Sequence, residues 1–68
     1  MSFDEFSDHI DEYLFEIKHK TELAFLVSDG TNDYWLPMSK IDWHEPDEIG
    51  DTTTFYIPNW LAEEKEII

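Results

Sequence analysis

Cysteine and arginine are both absent from this chain. Without Cys there is no disulfide and no thiolate zinc site to reinforce a small fold. Without Arg, positive charge is left to Lys18, Lys20, Lys40 and Lys65, set against 17 acidic residues for a net charge of −13. Phosphate-backbone binding relies on clustered cations, so direct nucleic-acid binding is excluded as the main task. Docking to anionic membrane surfaces is disfavoured for the same reason. The longest apolar run, Leu23 to Val27, falls far short of the roughly 18 residues of a membrane span. No basic segment leads into an apolar one at the N-terminus, so no secretory signal is read and a cytoplasmic location is expected. Gly (two) and Pro (three) are few, and each stands where a turn or a strand end is wanted.

What is present points to a folded domain. Of the 68 residues, 41% are hydrophobic, including five Phe, three Tyr and three Trp. Disordered chains are depleted in such residues. The length allows one domain, residues 1–68, and a chain of this size buries only about 60% of the surface its unfolded form exposes. The composition is an aromatic core inside a strongly negative shell.

Hydrophobic periodicity divides the chain. Phe3, Phe6, Ile10 and Tyr13 recur at helical spacing, and Ser2 with Glu5 fits a capping box, which predicts a short helix over 2–12. From Leu14 the period becomes two: Phe15, Ile17 and His19 alternate with Leu14, Glu16 and Lys18, the pattern of a strand with one wet face. Leu23–Ser28 reads as a buried strand, Asp29-Gly30 as a turn, and Tyr34–Leu36 as a strand closed by Pro37. Lys40–His44 and Thr52–Ile57 read as further strands, separated by the acidic loop Glu45–Asp51. Asn59 is placed to cap a terminal helix beginning at Trp60. The expected fold is α+β: a short N-terminal helix, a bent antiparallel sheet or small partly open barrel of four or five strands, and a short C-terminal helix.

Three stretches carry a resemblance. They are Ala24-Phe25-Leu26-Val27-Ser28-Asp29-Gly30, Trp35-Leu36-Pro37-Met38-Ser39-Lys40-Ile41, and Ile57-Pro58-Asn59-Trp60-Leu61-Ala62-Glu63-Glu64-Lys65. Together, over roughly 22–68, they resemble a group of short proteins encoded by bacteriophages, prophages and related mobile elements. Members share a Trp-Leu-Pro-x-Ser element and a closing Pro-x-Trp-Leu-Ala-Glu-Glu-Lys segment. The resemblance implies an origin in mobile elements rather than an activity. Relatives often carry Lys directly after the Pro, where this chain has Met38, and the acidic N-terminal segment lies outside the resemblance.

The carboxylates concentrate in the 4–12 segment (Asp4, Glu5, Asp8, Asp11 and Glu12), in the 45–51 loop (Glu45, Asp47, Glu48 and Asp51), and at Glu63, Glu64 and Glu66. Neighbouring carboxylates on a helix or strand stand about 6 Å apart, a spacing akin to that of phosphates along a nucleic-acid strand. A rigid array of this kind offers a basic DNA channel a substitute for its ligand. The bland alternative is a solubilising shell. Among the tryptophans, Trp35 and Trp60 are expected in the core. Trp43, beside the acidic loop, is the expected partly exposed anchor.

The histidines His9, His19 and His44 lack paired ligand spacing, and the acidic loop lacks the ligand positions of a calcium-binding EF-hand, so no metal or other cofactor is expected. No nucleophile motif or Gly-rich phosphate loop is present, and enzymatic activity is not expected. Two functions remain. One is an acidic nucleic-acid mimic that inhibits a basic nucleic-acid-binding defence complex of a bacterial host, such as a CRISPR effector or a restriction enzyme. The other is a protein–protein adaptor working through an apolar or sheet-edge surface. A homodimer through a free sheet edge beside Pro37 is compatible with either.

Overall fold

The computed structural model describes residues 9–68. Five strands form one antiparallel sheet: β1 (Ile10–Lys20), β2 (Ala24–Ser28), β3 (Asp33–Pro37), β4 (Asp42–Trp43) and β5 (Thr52–Pro58). Their order across the sheet is β3-β2-β1-β5-β4. A short 3₁₀ turn, Met38–Lys40, follows β3, and one helix, α1 (Asn59–Glu64), follows β5.

The long central strand β1 organises the rest. It runs against β5 from Ile10↔Pro58 to Glu16↔Thr52, and against β2 from Glu16↔Ser28 to Lys20↔Phe25. The period-two pattern sends Phe15 and Ile17 to one face, with Phe25 and Val27 of β2, Leu36 of β3, and Phe55 and Ile57 of β5. Ile41, Leu61 and Ala62 complete this buried cluster, with Tyr13, Tyr34, Met38, Trp43 and Ile67 packed at its margin. The opposite face has no element over it among the described residues. A bulge between Ile17 and His19 breaks the alternation. It leaves His19 exposed and brings Lys20 over the Phe25 ring, 5.7 Å from its centroid.

The turns follow their side chains. Thr21 Oγ1 accepts from the backbone N–H of Leu23 and Ala24 (3.2 and 3.0 Å), which closes the β1–β2 connection. Asp29 Oδ1 accepts from Thr31 and Asn32 N–H, each at 2.8 Å, in the β2–β3 turn, where Gly30 takes φ +99°. These bonds, with Asn32 contributing most and then Thr31, hold the Asp29 carboxyl below its ordinary pKa. A depressed carboxylate adds stability at neutral pH that is withdrawn as pH falls through its folded pKa.

Three expectations are corrected. Residues 10–12 belong to β1 rather than to the end of a helix, because pairing with β5 satisfies their ladder and continues the alternation of Tyr13, Phe15 and Ile17. His9 is in no helix, and residues 2–8 of the expected 2–12 helix lie outside the described residues. Of the two sheet forms expected, the antiparallel sheet of four or five strands is the one formed and the partly open barrel is not: β4 has only two residues, and β3 ends on a Pro with no N–H to offer. Finally, Asn59 does not cap α1. Pro58 occupies the N-cap with no side-chain bond, and the Asn59 N–H instead donates to His9 O at 2.7 Å.

Helix α1 ends in a Schellman arrangement. Ile67 N–H donates to Ala62 O (2.8 Å) and Glu66 N–H to Glu63 O (3.1 Å), which places Glu66 in the left-handed region at φ +62°. A non-glycine residue there carries a steric cost of about 1 kcal/mol. Glu66→Gly is therefore expected to raise stability by up to about 1 kcal/mol in urea unfolding, and Glu66→Ala to give no such gain. Equal effects of the two substitutions would show that the end of α1 is not strained.

Candidate partner-binding surface

The acidic loop is tied to the sheet at several points. Ile17 N–H donates to Asp51 O and Gly50 N–H to Ile17 O, both at 2.8 Å. The buried Thr53 hydroxyl donates to Pro46 O. Asp51 accepts the Glu48 N–H at 2.9 Å. Asp47 is the hub: its Oδ2 accepts from Trp43 Nε1 at 3.1 Å, and its Oδ1 stands 3.7 Å from Lys20 Nζ, which also donates to Asp47 O at 3.1 Å. Glu48 reaches the same Lys at 3.9 Å. Two of the four loop carboxylates, Asp47 and Asp51, thus hold the loop together, while Glu45 and Glu48 point to solvent.

Two of the three tryptophans, Trp35 and Trp60, depart from the core position expected of them. Trp43 is half-buried, edge-on to Phe25 at 4.8 Å, with its N–H committed to Asp47. Trp35 and Trp60 are the exposed ones, at 45% and 42%. Strand parity accounts for Trp35, since Leu36 takes the core side and its neighbour must face outward.

The uncovered face of the sheet gathers what remains. Cross-strand register aligns Asp42, Tyr56 and Glu12 in one row. A second row runs through Thr52, Glu16, Ser28 and Asp33. Leu14 lies between the rows opposite Thr54 and is 67% exposed. His19, Leu26 and Trp35 form a further row, with the His19 and Trp35 rings perpendicular at 6.1 Å. Among the described residues, Lys18, 3.6 Å from Glu16, is the one Lys on this face. Glu12 and Glu16 are four residues apart on one strand, about 13 Å, and carboxylates two strands apart are separated by about 10 Å.

Of the residues singled out in sequence, Asp4, Glu5 and Asp8 lie outside the described residues. Glu12 is on the open face. Asp11 is on the core side, at the margin, 3.2 Å from His9. Glu45, Asp47, Glu48 and Asp51 form a separate group beside Trp43. Sequence reasoning passed over Glu16, Asp33 and Asp42, which register alone brings onto the face of Glu12. Glu63, Glu64 and Glu66 sit on and just beyond α1, apart from both. The described carboxylates therefore form several groups, not a single strip. Among the described residues there is no enclosed pocket, no cluster of three potential metal ligands, and no helix long and apolar enough to cross a membrane.

No protein-family model, curated protein or solved structure matches this chain.

The loop contacts carry a prediction. Asp47→Ala removes a charged acceptor from Trp43 and Lys20, and is expected to cost about 1–2 kcal/mol in urea unfolding and to red-shift tryptophan emission. Glu48→Ala, at a far more exposed side chain, is expected to stay within about 0.5 kcal/mol. Equal losses at the two positions would contradict the assignment of Asp47 as the hub.

Proposed function

We propose that this protein is a non-enzymatic inhibitor of mobile-element origin. It binds a basic nucleic-acid-binding complex of a bacterial host, a CRISPR effector or a restriction enzyme, and competes with nucleic acid for it. The observation that supports this reading is the sheet face left uncovered by the described residues, where Glu12, Glu16, Asp33 and Asp42 stand with a single Lys among them. Neighbouring pairs among them, Glu12–Asp42, Glu12–Glu16 and Glu16–Asp33, stand about 10–13 Å apart, which compares with the roughly 12 Å width of a DNA major groove. Cations lining a nucleic-acid channel would meet carboxylates held on strands, whose backbone is fixed before binding. The loop contributes Glu45 and Glu48 at its solvent side, and the net charge of −13 speeds encounter with a positive surface.

A second reading is supported by the exposure of Leu14 and Trp35 on that same face. Apolar side chains amid carboxylates also suit an adaptor that binds a folded protein, with the charge setting only the on-rate.

The test is competition for candidate host complexes between this chain and fluorescent duplex DNA. Displacement is expected, with an affinity that falls at least about tenfold between 50 and 200 mM salt. Joint Glu12→Lys, Glu16→Lys and Asp42→Lys substitution is expected to abolish it, whereas reversal of Glu63, Glu64 and Glu66 leaves most of it. DNA that stays bound, or equal losses for the two sets, would overturn mimicry. A larger loss from Leu14→Thr with Trp35→Thr than from charge reversal would favour the adaptor.

A further inference from the structure

β1 is longer than the strand beside it, and the excess leaves backbone groups with no partner among the described residues. The direction of each β1 peptide group follows from the ladder. His9 O accepts from Asn59 N–H, and Ile17 N–H donates to Asp51 O. In an antiparallel pair the bonded residues recur every second position. The register from Asp11↔Ile57 through Tyr13↔Phe55 to Phe15↔Thr53 keeps that phase, so odd-numbered residues turn their N–H and C=O toward β5. The even-numbered residues turn theirs the other way. Glu16 meets Ser28 of β2 there, and β2 ends at that pair. The chain then doubles back toward β3 through the Asp29–Asn32 turn. Ile10, Glu12 and Leu14 thus present three N–H and three C=O groups along an edge that continues the line of β2.

We infer that this edge, Ile10–Leu14, is a site for strand addition, and that its occupant is an extended segment of another protein carrying adjacent Lys or Arg residues. An unpaired edge is a template for a further strand, with main-chain bonds supplying affinity and alternate side chains supplying choice. Charge decides which strand. A segment running antiparallel to β1 places residues opposite Leu14, Tyr13, Glu12, Asp11 and Ile10 in turn. Opposite charges favour Lys or Arg across from Glu12 and Asp11, and β-branched or aromatic residues suit Ile10, Leu14 and Tyr13. A second copy of this chain is a poor occupant, because the antiparallel pairing that matches Ile10 with Leu14 sets Glu12 against Glu12, on two molecules each of charge −13. Nucleic acid is excluded by the same repulsion. The inference does not require nucleic-acid mimicry, since it concerns the edge and not the face.

The test uses the full chain, isotope-labelled, and amide hydrogen exchange read residue by residue. In the free protein, Tyr13 and Phe15 amides are expected to exchange slowly, and Glu12 and Leu14 amides rapidly. The probe is the peptide Thr-Val-Tyr-Lys-Lys-Val-Thr. The control, Gly-Pro-Tyr-Lys-Lys-Pro-Gly, has the same charge but cannot pair along its length. Saturating probe is expected to slow exchange at Glu12 and Leu14 at least about tenfold, and the control to leave it unchanged. Leu14→Pro, which removes a donor the described fold does not use, is expected to weaken probe binding at least about tenfold, and Leu14→Thr to preserve it.

Three results would overturn the inference. Protection of Glu12 and Leu14 in the isolated monomer would mean that the chain fills its own edge. Protection that appears only as protein concentration rises would assign the edge to a second copy. Equal effects of probe and control would reduce the interaction to charge alone. None of these readouts involves DNA, so the outcome is independent of the competition experiment.

Discussion

Edge-to-face packing of Phe25 is the interaction on which the rest of the structure depends. Its ring meets Phe55 at 5.4 Å and Trp43 at 4.8 Å, and Lys20 lies over its face. Phe15 joins through Phe55 at 6.3 Å and Tyr34 at 5.8 Å. Through these contacts β1, β2, β3, β4 and β5 are joined on one side of a single sheet. A domain of this size has little other apolar surface to bury. The layer must offset chain entropy and also the mutual repulsion of a large surplus of carboxylates, which disfavours the compact state.

That load explains where the scarce cations and some of the anions go. Lys20, turned inward by the bulge, joins Phe25 to Asp47 and so links the aromatic layer to the acidic loop. Lys18 stays outside and meets Glu16. Carboxylates that accept backbone or indole N–H groups, such as Asp29, Asp47 and Asp51, work for the fold. Those on the opposite face, Glu12, Glu16, Asp33 and Asp42, have no comparable structural task, and the partner-binding proposal is built on them.

Much of this was legible in the sequence because period-two alternation is insensitive to tertiary detail. Thr53, Phe55 and Ile57 announced β5, and Phe15 with Ile17 announced β1. The beginning of β1 was not legible. Tyr13 fits both a helical stripe with Ile10 and the alternation of Phe15 and Ile17, and the choice is made by pairing with a strand more than forty residues away. The bulge after Ile17 carries no sequence signature here, so the inward turn of Lys20 could not be read. The Trp35 assignment failed because size was weighed above parity: Leu36 and Tyr34 already claimed the core side of β3. The end of α1 lacked the glycine that usually marks it, since Glu66 takes the left-handed position. Of the surface proposed to meet a partner, sequence singled out Glu12 and the loop but not Glu16, Asp33 and Asp42, because only strand register shows that they share a face.

The two faces of one sheet divide the labour: the covered face holds the fold, and the face left open by the described residues is the one proposed to meet a partner. The most direct measurement is urea unfolding of a variant altered only on the open face, Glu12→Gln, Leu14→Thr, Trp35→Thr and Asp42→Asn together, beside the single core substitution Phe25→Ala. The division predicts a change within about 1 kcal/mol for the fourfold open-face variant, and a loss of about 3–5 kcal/mol for Phe25→Ala. An open-face variant destabilised as much as the core variant would show that both faces hold the fold, and would contradict the account.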